Sequence, residues 1–256
     1  MRKYLAILKY SLKTQLTFIV DYLFSLFSFT IHVLVFNELW DYILQGKTVV
    51  GFTKAELIWY IIIAECITYS SQSAYKKIGE MVKQGDIANM LIKPVDVINY
   101  FLAENSAIVV KGFINIIWAI VLGVTLAGPV EITAESIVIT LIAIIIGMVI
   151  GCLLQIFCGI LSFYTEENQS YWLIIQKLSF FVVFTPLEFY PKILQNILFF
   201  LPTTQLVYSP AKIFTKFSFE SATNLLLVEI ISAIALYIVI RLMYKKGVEK
   251  INVNGG

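Results

Sequence analysis

The sequence predicts an all-α polytopic membrane protein: six transmembrane helices, an N-terminal amphipathic helix, and an outer re-entrant helical element between spans five and six. Three observations lead there. Of 256 residues, 59% are hydrophobic and 14% charged, with a mean hydropathy of +0.84, whereas a soluble domain carries about 25% charged residues. The apolar residues gather into six runs near the length of about 20 that a spanning helix needs. The lysines and arginines gather in a few connections, which orients the runs.

Residues 1–17 come first. In "MRKYLAILKYSLKTQL", Leu5, Leu8, Leu12 and Leu16 recur at helical spacing while Lys9 and Lys13 stand one turn apart. This predicts a helix on the cytoplasmic membrane surface, its lysines reaching anionic headgroups. Those lysines interrupt the early apolar residues and no A-x-A-like site follows, so the segment is expected to be retained rather than cleaved.

The spans are expected at 21–43, 56–74, 106–127, 136–163, 171–189 and 222–243. The fourth is long enough to tilt or to extend beyond the bilayer. It contains Gly147 and Gly151 in "GMVIG", a small-xxx-small pattern that lets helices approach closely, either within one subunit or between two. The outer element, 186–216, follows the fifth span. Residues 186–210 hold four of the six prolines, which break helices, and pieces such as "ILQNILFFL" are too short to cross alone. The element could cap an exit path or form a structural hairpin.

Orientation follows from the short connections. Arg2, Lys3, Lys9 and Lys13; Lys76, Lys77, Lys83 and Lys93; and Arg241, Lys245, Lys246 and Lys250 fall on one side of a six-span arrangement. Lys47, Lys54, Lys192, Lys212 and Lys216 fall on the other. Twelve against five predicts both termini in the cytoplasm of a multi-pass cell-membrane protein.

The 76–96 segment, "KKIGEMVKQGDIANMLIKPVD", is then cytoplasmic. Ile78, Met81 and Val82 form an apolar stripe opposite Lys76, Lys77, Glu80 and Lys83. Gly85 should end that helix, Asp86 should N-cap the next, and Ile87, Met90 and Leu91 form a second stripe before Pro94 stops it. Either the membrane interface or a groove on a cytoplasmic protein could bury the stripes.

Several chemistries lack their residues. No G-x-x-x-x-G-K-[ST] phosphate loop is present, so no ATP hydrolysis is expected from this chain alone. His32 is the single histidine, no H-E-x-x-H helix exists, and Cys66, Cys152 and Cys158 lack metal-ligand spacing, so no metal or cofactor is expected in the chain. Glu166 and Glu167 read as a solvated turn, and a net charge of +2 with dispersed lysines gives no nucleic-acid footprint. Lys111 and Lys177 can snorkel, and Asp21 and Glu38 fall near span ends. Glu65 in "IIIAECITYSS" and Glu229 in "LLLVEIISAIA" are different, because a charge at the bilayer centre costs at least ~2.5 kcal/mol. Each either faces a substrate path or holds a proton there, or bonds a neighbouring helix or is neutral.

The surface helix, the six spans, the pattern G-D-I-x-x-x-L-x-K-P-V at 85–95 and the outer P-L-x-F-Y-P…L-P…V-Y-x-P-A-K-I together resemble the type-two ABC exporter permeases, in their bacterial viologen and multidrug exporter branch. The likeness covers nearly the whole chain. It implies a dimer of permease subunits, identical or related, served by two separate cytoplasmic ATPase subunits that carry ATP and Mg. It implies a coupling helix at 76–91, with Ile78, Glu80, Met81, Val82, Gly85, Asp86, Ile87 and Leu91 as ATPase-coupling residues. The N-terminal helix would be the connecting helix beside the ATPase, and the proline-rich element would lie above the path. The function so implied is export of a small amphiphilic, drug-like or lipid-like substrate by alternating access. The alternative is a proton-coupled secondary transporter using Glu65 or Glu229; a membrane-embedded hydrolase is a third class.

Overall fold

A computed structural model of the chain describes residues 2–15, 19–70, 74–106, 108–130, 132–165 and 168–254. Thirteen α-helices run in order among them: α1 (Arg2–Gln15), α2 (Ile19–Leu44), α3 (Lys54–Tyr69), α4 (Ala74–Lys83), α5 (Ile87–Leu91), α6 (Val97–Asn105), α7 (Ile108–Leu126), α8 (Ala134–Leu161), α9 (Gln169–Phe184), α10 (Lys192–Phe199), α11 (Pro202–Gln205), α12 (Tyr208–Thr215) and α13 (Phe219–Asn254). A 3-10 turn, Leu187–Phe189, precedes α10. Among the described residues there is no strand, only an isolated bridge between Val49 and Phe52.

Among the described residues, three helical stretches are long and apolar enough to cross a membrane: Tyr22–Leu44, Ala134–Leu161 and Phe219–Glu249. Gly112–Leu126 is a shorter apolar helix. The predicted second and fifth spans are trimmed. At 16 residues each, α3 and α9 rise only about 24 Å. Thr53 and Glu56 fix the start of α3 with a reciprocal capping box, and its last turn closes at Ser70, whose hydroxyl donates to the Cys66 carbonyl at 2.7 Å. α9 stops because Pro186 forces Thr185 into extended backbone (φ −141°, ψ 116°).

α3 is the central pillar. Every residue from Leu57 to Ile67 is buried, as expected of a helix that is apolar all round, and α2, α7, α9 and α12 pack around it. Two side-chain donors hold its N-terminal half: Tyr60 Oη to the Val182 carbonyl (2.8 Å) and Trp59 Nε1 to the Gly128 carbonyl (3.0 Å). Gly123 leaves the space that the Trp59 ring fills.

The proline-rich segment folds as α10, α11 and α12, and the corner between the last two goes deep. Gly147 lies halfway along α8, and a Cβ there would stand 2.6 Å from the Leu206 carbonyl oxygen. At Gly151 a Cβ would stand 3.2 Å from Leu206 Cδ1. The "GMVIG" glycines thus admit the chain's own corner, the first of the two uses left open for them. α12 continues between α3, α8 and α13.

α1 forms as expected and packs on α6. Its buried side carries Tyr4, Leu8 and Ser11 against α6, and Ser11 Oγ donates to the Glu104 carbonyl at 2.6 Å. Leu5 and Tyr10 face outward. Leu16 lies outside the described residues.

Candidate functional site

The 76–96 segment builds an elbow whose inner side is the protein's own core. α4 lies along the end of α8. Ile78 is 1% exposed and presses on Gly159, where a Cβ would stand 2.7 Å from Ile78 Cβ. Ile87 is fully buried, and the two isoleucines enclose a small apolar junction with Val97, Phe101, Ile156 and Ile160. Met90 is buried; Met81 and Val82 are half-buried. Ile78 and Ile87, one from each stripe, are thus covered by α6 and α8. Tyr75 stacks on Trp172 with centroids 5.3 Å apart, and its carbonyl accepts from Asn168 Nδ2 at 2.7 Å, beneath a contact that only Gly79 leaves room for.

The corner itself turns on Gly85, whose φ of +78° is left-handed backbone. Asp86 does not cap α5. It adopts helical backbone (φ −63°, ψ −18°) and its side chain makes no cap bond, because the turn already starts at the Gly85 carbonyl, which accepts from Ala88 N–H at 3.0 Å. Asp86 instead accepts from Asn89 Nδ2 at 3.4 Å. The outer rim is exposed: Glu80, Lys83, Gly85, Asp86, Asn89 and Lys93. Ile92 is 84% exposed at the tip, a residue the stripe pattern passed over. The side chain of Leu91 lies outside the described residues.

Asp96 ties the elbow to the rest of the molecule. Its Oδ1 accepts from Asn99 N–H at 2.9 Å as a true N-cap of α6, its own N–H donates to Tyr4 Oη at 3.3 Å, and its Oδ2 pairs with Arg241 of α13. Tyr237 Oη adds a bond to Asn99 Oδ1 at 3.2 Å. On the neighbouring face Lys77 pairs with Glu104 at 2.5 Å, beside Tyr100. Burial first, and then Glu104, push the Tyr100 phenol up, so it stays a donor. An aspartate directly after "KPV" is a recognisable cap; the distant Arg241 and Glu104 left no local signal.

Two buried carboxylates, Glu65 and Glu229, occupy separate helix contacts. Glu65 is buried on α3, 3.3 Å from His32 Nδ1 of α2. Tyr69 Oη stands 3.3 Å from the same nitrogen and 2.7 Å from Ser28 Oγ, which gives a polar chain of four residues. Phe184 of α9 meets His32 edge-on, and Phe36 stacks on Phe184 with centroids 4.0 Å apart. The His32 side chain is 35% exposed, so the chain opens on the face shared by α2, α3 and α9. Composition offered no partner for this histidine.

Glu229 of α13 is 0% exposed, and neither of its oxygens has a hydrogen-bond partner among the described residues. Oε1 would stand 3.4 Å from a Cβ on Gly147, on the notch that holds the Leu206 carbonyl.

Charge pairs line the opposite end. Glu188 accepts from Lys212 Nζ (2.5 Å) and Tyr208 Oη (2.9 Å), Lys216 pairs with Glu56 (2.5 Å), and Lys54 with Asp41 (2.9 Å). Between α7 and α8 an apolar cleft of about 360 Å³ is floored by Trp59 and Phe214. Among the described residues no three His, Cys, Asp or Glu side chains converge as a metal site, and the cysteines are free and buried. Glu166 and Glu167 lie outside the described residues.

The family model described as "ABC-2 family transporter protein" matches residues 20–255, which leaves only the α1 region outside it. A search of curated proteins gave no match.

Proposed function

We propose, on the premise that this chain belongs to the ABC-2 transporter family, that its elbow is where a separate ABC ATPase acts on an exporter permease. In this reading α2, α3, α7, α8, α9 and α13 cross the bilayer, both termini lie in the cytoplasm, and α10–α12 re-enter from the outside.

One observation carries the proposal: the elbow is anchored inside and bare outside. A partner's ATP cycle can shift this protein only through a contact whose energy differs between two states. Glu80, Lys83, Gly85, Asp86 and Ile92 offer that contact on the exposed rim. Ile78 and Ile87 pass a displacement to α8, and Asp96 passes it to α1 and α13. With the stripes covered, Glu80 and Asp86 are the docking residues, and Ile78 and Ile87 are the transmitting ones.

The Ser28–Tyr69–His32–Glu65 chain supports a substrate path on the α2/α3/α9 face. Polar groups facing lipid are costly, so a second permease copy and a wet cavity suit that face. Its carboxylate amid aromatic rings suits an amphiphilic, drug-like or lipid-like cargo with a polar end, released outward by alternating access beneath α10–α12.

The test is reconstitution with the cognate ATPase in proteoliposomes. Glu80→Arg and Asp86→Arg should each lower transport and substrate-stimulated ATP hydrolysis at least several-fold, with membrane insertion unchanged. Normal stimulated hydrolysis in both variants removes the elbow from the coupling role.

A further inference from the structure

The outer element carries an unusual acceptor at its deepest point. The Leu206 carbonyl points at Gly147, and the residue four positions on, whose N–H would normally bond it, is Pro210. Proline has no N–H, and no other donor meets this carbonyl among the described residues. Across the same notch stands Glu229 Oε1, on a side chain that is 0% exposed and has both oxygens unpartnered. Two acceptors therefore face one notch in the middle of the molecule without a donor, and a buried polar group left unsatisfied is costly.

The neighbouring elements supply no counter-charge. α8 carries no ionisable side chain between Ser136 and Leu161 apart from the buried thiols Cys152 and Cys158, and α11 carries none. On α12 the groups are Tyr208 and Lys212, and both are committed to Glu188. On α13 itself, Arg241 is three turns further along and pairs with Asp96.

We propose that Glu229 and the Leu206 carbonyl form a binding site for one proton: the Glu229 carboxyl is held as the neutral acid and donates its O–H to the Leu206 oxygen. The bond clamps the α11–α12 corner to α13 in the glycine notch of α8. Nothing is consumed in the step; a proton bound from water makes one O–H···O contact, and its loss leaves a carboxylate opposite a carbonyl, which repels the corner from its seat. The clamp follows from this geometry alone and does not rest on the exporter reading.

Two measurements on the full chain in lipid nanodiscs test it. The infrared difference spectrum of wild type minus Glu229→Gln at neutral pH should contain the C=O band of a protonated carboxyl; a carboxylate doublet in its place overturns the proposal. Hydrogen exchange then reads the clamp through the amides of residues 203–209. Glu229→Gln keeps a donor of similar shape and should exchange as wild type does, whereas Glu229→Leu should exchange about ten-fold faster across this segment, as loss of one buried hydrogen bond predicts. Equal protection in all three proteins overturns the clamp. A bound sodium or potassium ion in place of the proton would show as an ionised carboxyl and as protection that depends on the concentration of that salt, and this too overturns the proposal.

Discussion

Asp86 and Asp96 show how far a single residue can be read from its neighbours. Both aspartates precede a short helix, and the sequence reading gives the capping role to Asp86 alone. Asp96 has the extended backbone (φ −68°, ψ 124°) that lets a side chain fold back on the first turn. Asp86 follows a left-handed glycine and is already helical, so its side chain makes no cap bond, meets only Asn89 Nδ2 and stays exposed. Removing the Asp96 cap should have a measurable cost. Asp96→Ala is expected to lower stability by about 1–2 kcal/mol, and Asp96→Asn by less, because an amide oxygen can still accept from Asn99 N–H. The Arg241 pair is half in water, so a double-mutant cycle with Arg241→Ala should give a coupling of no more than about 1 kcal/mol. Thermal unfolding in detergent, followed by tryptophan fluorescence, reads all three values.

At the scale of elements, composition located the helices better than it bounded them. The runs behind α2, α7, α8 and α13 were visible because each is a long apolar stretch. α3 and α9 came out shorter than read, since Ser70 and Pro186 close them through local bonds that hydropathy does not register. Periodicity also told which residues of α4 and α5 share a stripe but not what covers it. The cover is α8, and its glycines are where the elements meet. Gly147 and Gly151 look equivalent in sequence, yet a methyl at 147 would press on backbone at 2.6 Å while one at 151 meets a side-chain tip at 3.2 Å. Gly147→Ala should therefore destabilise by about 1–3 kcal/mol and Gly151→Ala by less than about 1, measured by the same unfolding assay. An interface between subunits would give the opposite signature: little change in stability and loss of the oligomer in both variants. At the elbow, Ile78→Ala empties a buried site and should cost about 2–5 kcal/mol. Ile78→Val removes one methylene and tests transmission with the fold kept, by the ratio of transport to ATP hydrolysis, which should fall.

For the whole molecule, lysines and arginines carry a signal for the side of the membrane on which a connection is expected, but no local pattern gives the rotational face of each helix, which depends on contacts between residues far apart in the chain. The face matters most for the proposed pairing of two copies. α2, α7 and α13 all present large apolar side chains outward, and lipid satisfies such surfaces as well as protein does. On α2 a partly exposed histidine, His32, stands among them. Val35 and Leu39 follow it at i+3 and i+7, so they lie on the same stripe, and both are exposed. A second copy that covers His32 must cover them as well. Single cysteines at Val35→Cys and Leu39→Cys, in a background with Cys66, Cys152 and Cys158 replaced by serine or alanine, should cross-link into dimers in the membrane. Ile117→Cys, on the outward face of α7, should not. If Ile117→Cys forms the dimers and the α2 positions do not, the seam runs along α7, and the His32–Glu65 chain then faces lipid rather than a path between two subunits.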